Sequence, residues 1–397
     1  MGLLPTRRKV LSFAAASGVV LGLQGLSLPT PALAADDIVI GASMPLTGVF
    51  GFAGIAVNNA FQDYVKIVND AGGINGHKLK YVAEDTAYAV DKSIAAFNRI
   101  TASGNVKLYY GDSTGFAKTI NPELTRRGDM LMAGTSFATE LNDPKNFLYQ
   151  FISGPDYSQM IGILLEYIAK TTPGAKIALV NSDTEFGRDP IVATEKRAAE
   201  LGLKVVEKIV TPPTSVDVST EVLKLRRANP DYTIFHGYIL APVPEFMAQM
   251  KQLGLKSKFM GTFWSMDNAV WANSAGVADG YMGVMPYRYY FDTEGKSPMM
   301  EKIRQMRPKY QPIYYTQGFL TAMLMTEAVK RTLDAKKELT AANMKAALNS
   351  IKDFDTGGLV GVPISISGNT IPVGRVYQYD GASKRMKAVS DWIRIAK

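Results

Sequence analysis

Residues 37 to 86 switch between two hydrophobic periods, and the switch restricts what the chain can fold into. Ile38-Val39-Ile40 opens a continuous apolar run that suits a strand buried on both faces. From Val57 to Asn69 the apolar positions fall instead on one helical stripe, formed by Ala60, Phe61, Tyr64, Val65 and Val68. Gly72-Gly73 stops that helix, and Lys80-Tyr81-Val82-Ala83 is the next strand. Strand, crossover helix and strand in this order predict a parallel pair, because parallel neighbours need a long connection.

The pattern continues down the chain. Strands are expected at Lys107-Leu108-Tyr109-Tyr110 and Met130-Leu131-Met132, with helices over Ser93 to Thr101 and Asn121 to Arg126. After Ser153-Gly154-Pro155 a second series follows, with helices over Tyr157 to Lys170, Ile191 to Leu201, Ser219 to Ala228 and Val243 to Leu253. Its strands are Lys176 to Asn181, Lys204 to Ile209, Tyr232 to Phe235 and Lys258 to Gly261. Three more helices, Ser297 to Arg307, Gln317 to Ala335 and Thr340 to Ile351, need a sheet to cover and return to the first series; Arg375 to Tyr379 is a terminal strand. The fold class is therefore α/β, with two doubly wound parallel-sheet lobes. About 360 residues after the leader exceed what one hydrophobic core serves. The expected division is residues 37–153 plus 288–362 for lobe 1 and 154–287 plus 363–397 for lobe 2.

Residues 1–34 read as an export leader. Arg7, Arg8 and Lys9 precede a soft apolar run from Val10 to Leu28, and Ala32-Leu33-Ala34 offers small residues for cleavage. Ser12, Ser17, Gly18, Gly22, Gln24 and Gly25 interrupt the run more than a spanning helix tolerates. Thr6-Arg7-Arg8-Lys9-Val10-Leu11 resembles a twin-arginine signal. Removing the three basic residues lowers the formal charge from +8 to +5, and no basic run interleaved with aromatics marks a nucleic-acid surface. With Cys 0 the chain has no disulfide, no thiolate site and no cysteine for a lipid anchor. A free periplasmic monomer is expected.

In doubly wound sheets ligands sit beyond the carboxyl ends of the strands. There lie Met44 to Gly54, then Gly111-Asp112-Ser113-Thr114-Gly115-Phe116, then Ala133-Gly134-Thr135-Ser136-Phe137. The last two combine glycine, hydroxyls and a ring, which suits an anion at a helix N-terminus, although serine and threonine also serve as plain helix caps.

The run from Ile38 to Ala87, with its Pro-Leu-Thr-Gly loop, Ala-Gly-Gly-Ile-Asn-Gly turn and Asp-Thr after the second strand, resembles the type I periplasmic substrate-binding proteins of the branched-chain amino acid (Leu/Ile/Val) transporter family. DTEFGRDP, PDYTIFHGY, QLGLKSKFMGT, YYTQGFLTAMLMTEAVKR and DFDTGGLVG extend the resemblance over nearly the whole chain after the leader. It implies two lobes joined by a three-crossover hinge, a ligand enclosed between them and delivery to an ABC permease. Carried across, the carboxylate-holding loops fall on Ser113 and Thr114 and on Gly134, Thr135 and Ser136, and the first-loop aromatic on Phe52, with Phe50 beside it. The opposite lobe supplies Phe186, the loop of His236 and Tyr238, and Phe263 and Trp264. Where amino-acid binders of the family place an acid for the ligand's ammonium, this chain has Phe263 and Trp264, with Asp267 a few residues on.

An enclosed ammonium without a carboxylate partner costs several kcal/mol, about the penalty for an unpaired buried charge. Phe50, Phe52, Phe116, Phe137, Phe186, Phe263 and Trp264 instead suggest a ring-rich wall, about half of them ordinary core. The expected ligand is a small carboxylate with an apolar or aromatic body; an amino acid, or a ligand-loaded sensor docking on a membrane receptor, is the alternative. No cofactor or metal is expected from His77 and His236. Gly111-x-Ser113-x-Gly115 approaches a nucleophile elbow, but a triad would need His236 from the other lobe, so hydrolysis is set aside. Changing Arg7 and Arg8 together to Lys should strand the precursor in the cytoplasm, since the twin-arginine route reads the pair and not its charge. Normal periplasmic yield, followed by fractionation and immunoblotting, overturns that route.

Overall fold

The run Ile38–Met44 forms β1, buried along almost its whole length. It pairs in parallel with β2 (Leu79–Asp85) on one side and β3 (Val106–Gly111) on the other. These strands come from a computed structural model that describes residues 36–271 and 274–395. The leader at 1–34 lies outside the described residues. Helices α1 (Gly51–Asp70), α2 (Val90–Thr101) and α3 (Thr114–Arg127) connect the strands, and β4 (Leu131–Gly134) and β5 (Gln150–Phe151) complete a five-stranded sheet of order β2-β1-β3-β4-β5. Pro122 sits inside α3, and Ser113 caps it, so the helix begins seven residues before the expected Asn121. The Ser113 cap and burial of Phe116, Ile120 and Leu124 support the longer helix through Pro122.

The second series begins with α4 (Tyr157–Thr171), opened by a capping box between Asp156 and Gln159. Then come β6 (Lys176–Ser182), the short α5 (Glu185–Arg188), α6 (Ile191–Glu200), β7 (Lys204–Thr211), α7 (Ser219–Ala228), β8 (Tyr232–His236), α8 (Val243–Gln252) and β9 (Lys258–Gly261). Two short helices, α9 (Asn268–Trp271) and α10 (Ala275–Ala278), lead to β10 (Met282–Met285). Helices α11 (Pro298–Met306), α12 (Ile313–Asp334) and α13 (Ala341–Asn349) follow, and β11 (Val373–Asp380) and β12 (Arg385–Arg394) close the chain. The second sheet has seven strands in the order β12-β11-β10-β9-β8-β6-β7, parallel except for β11 and β12.

That antiparallel end corrects the expectation of wholly parallel sheets. β10 is not apparent in the sequence because it is four residues with a glycine inside, and β12 because it is an edge strand whose apolar residues are split by charged ones. The chain passes between the sheets three times: between β5 and α4, between β10 and α11, and between α13 and β11.

α11 to α13 return to the first sheet. α12 lies against α1, where Tyr64 Oη and Thr326 Oγ1 are 2.7 Å apart inside the contact. At its start Arg307 grips Asp63 with two bonds of 2.7 and 3.0 Å, and Tyr315 Oη donates to the same carboxylate at 2.8 Å. The approach is close: a Cβ on Gly318 would stand 2.9 Å from the Val57 carbonyl oxygen. Gly318→Val should therefore lower the unfolding free energy by about 2 kcal/mol through overpacking. Gly276→Ala, with nothing within 4 Å, should stay within about 0.5 kcal/mol of the parent in the same denaturant titration.

Candidate functional site

Both sheets direct the carboxyl ends of their strands toward one cleft, and the loops leaving β1, β2, β3 and β4 meet those leaving β6 and β9 there. A cavity of about 40 Å³ remains between them, lined by Phe50, Tyr88, Asp112, Ser113, Thr114, Thr135, Ser136, Tyr157, Phe186 and Trp264. Its volume is close to one water's share of the liquid, about 30 Å³, so a larger ligand requires the lining rings to move apart. Thr114, Tyr157 and Phe186 also line a wider space of about 620 Å³ at the rim.

Hydroxyls gather on the first-lobe side. Ser113 adopts extended backbone and accepts the Phe116 N–H at 3.2 Å, capping α3. The remaining first-turn N–H groups have no acceptor within the helix. Thr114 Oγ1 and Ser136 Oγ stand 2.6 Å apart, and Thr135 Oγ1 is 2.9 Å from Tyr110 Oη. Two strand-end loops with a helix N-terminus and four hydroxyls between them are chemically suited to an anion.

Rings form the other walls. Phe50 stacks on Tyr88 with centroids 4.1 Å apart and meets Trp264 edge-on at 5.8 Å. Trp264 Nε1 donates to Tyr157 Oη at 2.9 Å, its ring stacks on Tyr314 at 5.4 Å, and Tyr314 Oη donates to the Trp264 carbonyl at 2.9 Å. These contacts hold the indole in one orientation between the lobes.

Asp112 lies among them with 0% exposure. Its Oδ2 accepts from Thr86 Oγ1 and, at 2.8 Å, from Ser93 Oγ, while its Oδ1 has no hydrogen-bond partner among the described residues. Burial pushes its carboxyl above the usual carboxylate range, and the hydroxyls of Thr86, Ser93 and Ser113 oppose that rise.

Of the residues expected at the site, Ser113, Thr114, Thr135, Ser136, Phe186 and Trp264 line the cavity. Others stand elsewhere. Phe52 is 41% exposed, one helical step past the cavity, and Phe50 occupies the place expected of it. Gly134 ends β4, where a Cβ would come within 2.6 Å of the Gly111 carbonyl oxygen, so it permits a close strand approach. Tyr238 turns away and pairs with Thr211 Oγ1 at 2.6 Å. Phe263 is core, boxed by Phe137, Tyr287 and Tyr314, and Phe116 and Phe137 are equally buried.

His236 supports the wall from behind. Its Nε2 is 2.9 Å from the Phe186 carbonyl and its Nδ1 2.9 Å from Thr262 Oγ1, which fixes the tautomer with the proton on Nε2. Its ring packs on Tyr157 and Phe186. Phe50 lines the cavity as one of the expected wall rings, and three lining residues were missed by sequence reasoning: Tyr88, Asp112 and Tyr157. Tyr88 follows β2 with φ 65°, and Tyr157 follows β5, both outside the three strand-end loops expected to hold ligand.

Bonds also cross the rim. Lys118 on α3 pairs with Glu140 at 2.8 Å and with Glu185 on α5, and Asp189 accepts from the N–H of Thr139 at 2.9 Å and from its hydroxyl.

Comparison with known proteins agrees with this architecture. The family profile described as periplasmic binding protein matches residues 37–381. The leucine-specific-binding protein of Salmonella typhimurium is 25% identical over 379 residues, covering 88% of this chain and 95% of the relative. A branched-chain amino acid ABC transporter structure from Thermus thermophilus with bound valine superposes with a TM-score of 0.77 at 23% identity, over 91% of this chain and 97% of that one. A solute-binding protein from Rhodopseudomonas palustris in complex with 3,4-dihydroxybenzoic acid superposes with a TM-score of 0.69 at 19% identity, over 86% and 93%. The chain belongs to the periplasmic binding protein family, as a substrate-binding subunit of an ABC transporter and not an enzyme. No helix among the described residues is long and apolar enough to cross a membrane.

Burial holds the His236 imidazole neutral, pushed down to about 3, against the opposing bond from the Phe186 carbonyl. Between that value and the ordinary 6.5 the unfolded chain binds the proton and the folded chain does not. While Asp156, raised to about 6 by burial, contributes with the opposite sign, the His236 contribution to stability should therefore fall as pH drops below about 6.5, by up to about 1.4 kcal/mol per pH unit. His236→Gln should flatten that slope in denaturant titrations between pH 4 and pH 7, about one proton's worth. An imidazole that titrates near 6.5 by NMR overturns the assignment.

Proposed function

We propose that this chain captures a small carboxylate with an apolar or aromatic body between its lobes and presents the closed form to a membrane permease. One observation carries the reading: the hydroxyls of Ser113, Thr114, Thr135 and Ser136 share a single cavity with the rings of Phe50, Tyr88, Tyr157, Phe186 and Trp264. The hydroxyl side suits a carboxylate, each charge-assisted bond contributing about 1.5 to 3 kcal/mol. The rings suit the body, at about 0.8 kcal/mol per buried CH₂. Contacts to both lobes exist only when these are closed, so ligand shifts the population toward that state.

The resemblance places an acid for an amino-acid ammonium at the positions of Phe263 and Trp264, and both are packed rings here. A second reading, an amino-acid ligand, is favoured by the Asp112 carboxylate in the wall and by the leucine-specific relative. The same fold carries valine in one neighbour and an aromatic acid in another, so fold does not choose between the readings. The proposal includes export with cleavage near Ala34, a monomer free of any lipid anchor, and hinge passes at 153/154, 287/288 and 362/363.

Calorimetry against Leu, Val, Phe, benzoate and short-chain carboxylates tests the reading. Bulkier apolar or aromatic monocarboxylates should bind more tightly than acetate, and Ser113→Ala or Thr114→Val should weaken them about tenfold or more. Tight binding of Leu or Val that Trp264→Ala leaves unchanged overturns it in favour of the amino-acid reading.

A further inference from the structure

A ligand carboxylate set against Ser113 and Thr114 would stand beside another carboxyl group, that of Asp112, which lines the same cavity. Asp112 is fully buried and half satisfied. Oδ2 is held by Thr86 and Ser93, and Oδ1 has no hydrogen-bond partner among the described residues. Buried polar atoms are nearly always paired, and an unpaired one in a binding cavity is an opening for a ligand group. We infer that Asp112 is a specificity residue whose Oδ1 pairs with a hydroxyl carried by the ligand next to its carboxylate. The inference rests on the carboxylate reading above and narrows it to hydroxy acids.

A hydroxyl fits this position better than an ammonium for a chemical reason. It donates to Asp112 when the carboxyl is ionised and accepts from it when protonated, so it satisfies Oδ1 in either state; an ammonium only donates and needs the ionised form. The buried setting, which favours the neutral acid, works in the same direction. A hydroxyl between the two carboxyl groups also separates groups that repel when both are ionised.

The test measures binding of two matched sets by calorimetry: 3-phenyllactate, 3-phenylpropionate and phenylalanine, then lactate, propionate and alanine. Within at least one set the hydroxy acid should bind at least about tenfold more tightly than both companions, because its loss leaves a buried acceptor unpaired. Asp112→Asn, whose amide oxygen still accepts, should keep the preference over the unsubstituted acid. Asp112→Ala should reduce it to about threefold or less. The wild-type comparison stands without either variant. Equal binding within both sets, or a preference that survives Asp112→Ala, overturns the inference and leaves the carboxylate reading intact. Preference for the amino acid, lost in both variants, overturns it in favour of an ammonium at Oδ1. If no member of either set binds, the carboxylate reading fails and this inference falls with it.

Discussion

The structure depends on a constraint of parallel sheets: every strand of the crossover series ends at the same edge, so the loops that follow all collect on one side. In each lobe these loops carry the N-termini of the next helices, with N–H groups that lack partners within the helix. Ser113 capping α3 and Thr184 capping α5 satisfy part of that demand. Two such edges set face to face leave polar donors on one side, and the rings of Phe50, Tyr88, Phe186 and Trp264 exclude water from them. Geometry of the strands thus decides where the chemistry lies before any side chain is chosen.

The crossover series was legible in the sequence because buried parallel strands and amphipathic helices carry opposite periods. Boundaries of α7 and β9 were readable to the residue, since Ser219 to Ala228 and Lys258 to Gly261 are flanked by clear breakers. β12 was not, because an edge strand exposed on much of its length has no apolar run to betray it. At the site, the hydroxyl loops could be found from position alone, as strand-end loops opening helices. Choosing among rings could not: Phe50 and Phe52 are two residues apart in a turn that enters α1, and only the helix phase decides that Phe50 faces the cavity and Phe52 the solvent. Asp112 was not legible because the resemblance puts the partner of a ligand's ammonium at the opposite lobe, where Phe263 is core and Trp264 is a ring of the cavity wall.

The cavity joins two electrostatic demands in little space. Hydroxyls and a helix terminus favour an anion, while a buried carboxyl beside them disfavours one unless a hydrogen is shared. Trp264, held by Tyr157 and Tyr314 on different elements, keeps its ring oriented beside these groups.

The bridges at the rim act apart from all this. Lys118 with Glu185, and Asp189 with Thr139, join the lobes without touching the cavity lined by Asp112 and Ser113. Their strength contributes equally to closure around every solute. A substitution that weakens them therefore multiplies all dissociation constants by one common factor and leaves their ratios untouched, so the protein's working concentration range and its choice of solute are adjustable independently.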